Sequence, residues 1–389
     1  MIEAVKRHLT EQILPFWKAL KDEENGGFYG KVDYDLNVYR ENEKGGILNS
    51  RILWFFSNSY LTLRDSDDIE YARHAYNQLV DKFIDKEYGG VYWSVTYDGT
   101  PLDTTKHTYC QAFAIYALSS FYDASKDEGA LKLAYELYDL VESKCRDELG
   151  YLEAFKRNFE PESNEKLSEN GVEAARTMNT LLHMYEAYTE LYRVDGNPQV
   201  KERLLEMLDI IENKMYNPEV PRQEVFFDKE WNSIIDLHSY GHDIEAAWLI
   251  DRGLDVIGDE ELTARISVIT KALTECIYKK AYTEAGVWNE EECGVVDKRK
   301  IWWVQNESVV GFINGYQRDN SKKEYLEAAR SIWEFCESFQ IDKRSGSEWF
   351  GTLDADNNPL VEEDMAGPWK CPYHNGRMCF EVIRRNIDA

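Results

Sequence analysis

Ionisable and amide side chains interrupt six strongly apolar stretches of this chain, and they do so near the start of each. Arg51, Asn179 with His183, His242 with Glu245, Glu307, and His374 fall in the first turn or two of five stretches, and His107 and Tyr109 open the sixth. A lone histidine on an apolar helix is commonly a core residue held by a neighbouring Tyr or Glu, but the shared position of these groups points to a site. Imidazole titrates near neutrality, so two histidines facing one pocket can supply a general base and a general acid. His242 and Glu245 stand at i, i+3 on one helical face, which predicts that the carboxylate accepts a ring N–H. That contact would fix the tautomer and raise the basicity of the ring. Asn179 and His183 share a face at i, i+4, and Trp303 with Glu307 has the same spacing, an indole platform beside a hydrogen-bond acceptor. Trp248 lies beyond His242 on the same helix and reads as core or ligand alike. An HxxE pair also occurs in zinc sites, where another histidine would supply a third ligand; the reading adopted here needs no metal.

The C-terminal stretch GPWKCPYHNGRMC (367–379) is the most constrained of these segments. Pro368 and Pro372 stiffen a turn that delivers Trp369 and His374 to the start of the last apolar helix. Cys371 lies between them, and with no separate activating pair it reads as a structural thiol.

Placing these groups together requires a repeating frame. Glycine–aromatic segments recur at GGFYG (26–30), GGVYW (89–93), GYLEAF (150–155), VFFD (225–228), GVWNE (286–290) and SEWFG (347–351), about 60–75 residues apart. Between them, amphipathic charged helices such as 198–215 and 321–339 alternate with helices apolar nearly all round: 47–61, 109–122, 177–192, 241–250, 301–316 and 374–383. The links from apolar to charged helices allow about 3–5 residues, and the return links run to roughly 20–30. If the charged helices form an outer ring and the apolar ones an inner ring, every long loop falls on one rim, with the markers as small hairpins. The expectation is an all-α protein: a single (α/α)6-barrel domain over 1–389, twelve helices, with a pocket at that rim. The competing architecture is an open helical solenoid.

Composition narrows the partners. The formal charge of −27 disfavours nucleic acid and anionic membrane surfaces, but costs a neutral ligand nothing. The 11 Trp and 25 Tyr carry apolar faces with polar tips, suited in part to a sugar cleft and otherwise to the core. Seven scattered Cys without a CxxC pair argue for reduced thiols. With no signal-peptide core and no 18-residue apolar run, the expectation is a cytoplasmic protein, read as a monomer in preference to an oligomer.

The segments YGHDIEAAW (240–248), TMNTLLH (177–183), IWWVQNESVVGF (301–312) and PWKCPYHNGRMC (368–379) resemble the bacterial cellobiose 2-epimerases of the N-acylglucosamine 2-epimerase superfamily. ILPFW with DEENGGFYG (13–30) and GGILNSRILWFFS (45–57) extend the likeness along the whole chain. The resemblance implies an (α/α)6 barrel and metal-free, cofactor-free epimerisation at C2 of the reducing-end glucose of β-1,4 disaccharides such as cellobiose and lactose. It makes His242 and His374 the acid–base pair, with Glu245 orienting His242 and His183 assisting ring opening. Arg51, Tyr109 and Asn179 would hold sugar oxygens, and Trp303 and Trp369 would stack on the disaccharide, Trp302 being the alternative to Trp303. Within the superfamily, an N-acylglucosamine 2-epimerase or an aldose–ketose isomerase is the nearest other reading. A glycoside hydrolase would instead use two carboxylates, for which Glu245 and Glu307 are the candidates.

Overall fold

The computed structural model describes residues 1–168 and 170–387. It is predominantly helical, with short strands between the helices. Twelve long helices follow in order: α1 (2–19), α2 (Gly46–Leu63), α3 (66–83), α4 (Thr108–Ser125), α5 (Glu128–Lys144), α6 (Met178–Asp195), α7 (198–215), α8 (Tyr240–Ile257), α9 (Glu260–Lys280), α10 (Trp302–Arg318), α11 (323–340) and α12 (His374–Arg385). The even-numbered helices are the apolar ones. They touch in the sequence α2–α4–α6–α8–α10–α12 and back to α2, a closed circuit. Each also packs chiefly on one charged helix: α2 on α3, α4 on α5, α6 on α7, α8 on α9, α10 on α11, and α12 on α1. An apolar circumference thus meets neighbours on several sides, while an amphipathic helix keeps one face in water.

Four of the five short links are tighter than the sequence suggests, spanning only 64–65, 126–127, 196–197 and 258–259, while the fifth, 319–322, has the expected length. In the first four, the residue ending the inner helix takes a left-handed conformation (Arg64, Lys126, Gly196, Gly258), which turns the chain at once. The next residue, Asp65, Asp127, Asn197 or Asp259, caps the following helix by accepting one of its free N–H groups at 2.9–3.0 Å.

The long loops are organised differently from isolated hairpins. The strand entering each inner helix pairs antiparallel with a strand in the next loop: Lys44–Gly45 with Ser94–Val95, Lys106–His107 with Ala154–Phe155, and Arg176–Thr177 with Phe226–Phe227. Leu237–Ser239 with Glu290–Glu292 and Lys300–Ile301 with Thr352–Leu353 continue the pattern, and a bridge from Val32 to Ala366 joins the first loop to the last. Hairpins within a loop exist too, as at Arg146–Tyr151. At GGFYG, GGVYW and SEWFG the markers contribute only single bridges. Side chains near the inner-helix starts hold the loops from below. Gln111 bonds both the N–H and C=O of Val91 (2.7 and 2.9 Å), Gln305 does the same to Val287 (both 2.8 Å), and Asp243 accepts the N–H of Gln223 (3.0 Å).

Two inner helices approach closely at Gly253 of α8, where a Cβ would fall 2.0 Å from the buried Tyr185 hydroxyl of α6. Gly253→Ala is expected to cost about 1–3 kcal/mol in urea unfolding through overpacking. A second expectation concerns acid. His8 sits between Trp333 and Trp349 and accepts the Trp349 indole N–H at 2.7 Å; burial, then the charge of Lys343, pushes its pKa down to about 3. As pH falls from about 6.5 toward 3, the unfolded chain gains a proton there that the folded chain does not, so stability declines by up to about 1.4 kcal/mol per pH unit. His8→Asn should flatten this decline between pH 6.5 and 4; an equal fall in melting temperature with pH for parent and variant would contradict it.

Candidate active site

Arg377 on α12 is buried, and its guanidinium gathers carboxylates from three other inner helices. Nη1 donates to Glu186 Oε1 of α6 at 2.5 Å, and Nη2 meets Glu307 Oε1 of α10 at 2.7 Å and Glu245 Oε1 of α8. Its plane also lies over Tyr373 (4.2 Å) and Trp248 (4.9 Å). Neither Arg377 nor Glu186 was singled out from the sequence. For Glu186 a signal was present, because it follows His183 by the same i, i+3 spacing that drew attention to His242 and Glu245.

Three histidines face the cavity above this cluster, each held at Nδ1. Glu186 Oε2 meets His183 at 2.8 Å, and Glu307 Oε1 meets His374 at 2.7 Å. An ionised carboxylate only accepts, so in both contacts the ring donates through Nδ1. His242 departs from expectation: its Nδ1 lies 2.7 Å from the hydroxyl of Ser239, the residue just before α8, and not on Glu245. Glu245 is drawn inward by the Arg377 charge, and its second oxygen is buried without a hydrogen-bond partner. The predicted His242–Glu245 contact is therefore replaced by two separate ones.

Burial, then the charge of His183, lowers His242 to about 3, and burial, then Arg377 and Arg51, lowers His374 well below the usual range. Burial also drives the carboxyls upward. For Glu186 the nearby Arg377 and His183 outweigh burial and bring it down to about 2. Glu245 instead rises to about 7, through burial and then the charge of Glu307, and burial raises Glu307 as well. One oxygen each of Glu245 and Glu307 and a nitrogen of His374 lie within 4.8 Å of one another, a spacing that would suit a metal. Nη2 of Arg377 already occupies the position between the two carboxylates. His242 is not part of that donor set, so the zinc variant of the HxxE reading loses its own first ligand.

A cavity of about 650 Å³ opens over the histidines, lined by Arg51, Tyr109, Asn179, Glu245, Trp303 and Trp369 among others. Arg51 is almost fully buried and, among the described residues, donates no hydrogen bond to a carboxylate. It donates to the Tyr109 hydroxyl at 2.8 Å and to Cys371 Sγ at 3.7 Å, and lies 4.1 Å over Phe113. Its Nε and the side-chain oxygen of Asn179 are buried without partners, polar atoms available to a ligand. Trp303 spans the two histidines, with ring centroids 4.7 Å from His242 and 5.5 Å from His374. Trp302 also lines the cavity but is more deeply buried, against His374 on one side and the Lys370 ammonium on the other. Trp369 stands at the mouth, 43% exposed.

Two residues expected to touch a ligand lie behind the wall. Trp248 is 1% exposed and donates its indole N–H to Glu307 Oε2 at 2.9 Å. Glu307 is fully buried beneath His374, where it serves the ring rather than the cavity. His107 likewise faces away, bonded to Asn164 at 2.9 Å. A hydrolytic site would need two carboxylates across the cavity, whereas Glu245 and Glu307 converge on one nitrogen of Arg377.

The model of the N-acylglucosamine 2-epimerase family matches residues 27–376. The cellobiose 2-epimerase of Ruminococcus albus is 49% identical over all of both chains, and that of Eubacterium cellulosolvens is 47% identical over 99% of each. A crystal structure of a sugar epimerase from a ruminal bacterium superposes with a TM-score of 0.99 at 48% identity, covering both chains completely. With the match running nearly end to end, the chain belongs to the N-acylglucosamine 2-epimerase family.

Proposed function

We propose that this protein is a single-domain (α/α)6-barrel enzyme that epimerises C2 of the reducing-end glucose of cellobiose, giving 4-O-β-D-glucosyl-D-mannose, with lactose as a related substrate. The observation that carries the reading is two imidazoles, His242 and His374, flanking one tryptophan-floored cavity from different helices. The names of its close relatives support the substrate. A C2 proton becomes acidic only when C1 is a carbonyl, so the pyranose must open first. His183, on the cavity wall, would move the proton this step requires. Removal of the C2 proton leaves an enediolate, whose charge the Arg51 guanidinium and Tyr109 hydroxyl would stabilise. Inversion needs proton loss on one face and gain on the other. A single base tends to return the proton to the face it came from. Asn179 would hold a sugar hydroxyl, Trp303 the reacting ring, and Trp369 the second sugar.

The same reading makes the protein a monomer of a reducing, cytoplasmic compartment, supported by its free cysteines and its high net charge. Nothing in the proposed chemistry calls for a cofactor.

Cellobiose turned over in D2O is expected to carry deuterium at C2 of the product, read by NMR; unlabelled product would rule out the two-histidine route. His242→Ala and His374→Ala should each lower turnover by about 10³-fold or more while leaving the circular dichroism spectrum unchanged. The partners should rank differently. Glu307→Gln removes a charged hydrogen bond and should cost on the order of 10²-fold in kcat, against about tenfold for Ser239→Ala, which removes a neutral one. Equal losses in the two variants would contradict this ranking.

A further inference from the structure

Between α11 and α12 lies a buried acid that neither the acid–base chemistry nor the binding wall uses. Glu348 is fully buried. Oε1 accepts from the Trp17 indole at 3.3 Å and from Asn375 Nδ2 at 2.5 Å. Oε2 accepts from the backbone N–H of Trp349 at 2.6 Å and from the Lys370 ammonium. The two movable partners have a telling position in the chain. Lys370 directly follows Trp369, and Asn375 directly follows His374. One carboxylate therefore grips both ends of the turn that carries the exposed indole and the reactive imidazole. Lys370 is held a second way, 4.5 Å over the face of Trp302, whose ring in turn meets His374 edge-on at 5.4 Å.

We infer that Glu348 is a positioning residue for the site: it sets the spacing between Trp369 and His374 by clamping Lys370 and Asn375. This rests on the epimerase reading above. Supporting groups of this kind act by removing the freedom of the residues that touch substrate. The geometry separates its two arms. Loss of the Lys370 arm loosens the indole that meets the second sugar, and loss of the Asn375 arm loosens the imidazole. An amide at position 348 can still accept from Trp17 and Asn375, but it leaves the buried ammonium without its counter-charge.

The experiment is steady-state kinetics on cellobiose for the parent, Glu348→Gln, Lys370→Met and Asn375→Ala, each normalised to folded protein. Glu348→Gln is expected to lower kcat at least tenfold and raise KM severalfold. Lys370→Met should change KM more than kcat, and Asn375→Ala should change kcat more than KM. If Glu348→Gln does not fold, the two single-arm variants carry the test. A residue that only stabilises the fold would lower the melting temperature and leave both parameters alone, so kcat and KM within twofold of the parent across the folded variants would overturn the inference. A parent that does not epimerise cellobiose would instead overturn the functional reading on which it rests.

Discussion

The contact on which the site depends is that of one buried guanidinium with three carboxylates. Arg377 meets Glu186, Glu245 and Glu307, and these stand on α6, α8 and α10. A buried charge stripped of its partner costs about 3–5 kcal/mol, so the four helices are held to a common geometry by something more directional than apolar packing. On two of these carboxylates the remaining lone pairs are not idle. Glu186 turns its other oxygen to His183 and Tyr373, and Glu307 uses the bonded oxygen for His374 and the free one for Trp248. The group that locks the helices together thus also sets the direction of two imidazoles.

Above that cluster the rim has its own continuity. Loops of this length are ordinarily mobile, but here each shares a strand pair with the next, from Lys44–Gly45 and Ser94–Val95 round to the Val32–Ala366 bridge. Gln111 and Gln305 fasten two of them to the helices beneath. The inner-helix starts, where His183, His242 and His374 sit, therefore lie between a charged knot below and a belt of paired strands above. Residues held from both sides lose little entropy on binding a ligand.

Much of this frame is legible in the sequence because it is local. Apolar periodicity marks all six inner helices, and the gathering of ionisable groups at their starts points to the rim. What escapes is non-local. The strand pairs join consecutive loops, so a two-residue partner such as Ser94–Val95 carries no pattern that announces Lys44–Gly45. The i, i+3 rule succeeds for His183 and Glu186 and fails for His242 and Glu245, though the spacing is identical. Spacing says which groups can meet, not which competitor stands nearer. Glu186 has one oxygen for Arg377 and one aimed at its histidine, whereas His242 has Ser239 beside it and Glu245 has only the guanidinium. Trp248 and Glu307 illustrate the same gap: on an inner helix, one turn decides whether a side chain lines the cavity or props up a residue that does.

The unequal partners of His242 and His374 bear on reversibility. An epimerase working in both directions asks each base to act as an acid on the return path. A carboxylate at Nδ1 can only accept, so Glu307 fixes one tautomer of neutral His374 and stabilises the imidazolium that forms when Nε2 takes a proton. A hydroxyl can donate or accept, so Ser239 allows His242 either tautomer and offers no charge to hold a proton. Burial disfavours the charged form of both rings. On the epimerase reading, the proton taken up by His374 is stabilised by an ion pair, and the one carried by His242 is released readily to the sugar. On that reading, two chemically alike residues would divide acid and base work through what stands behind them, not through what they are.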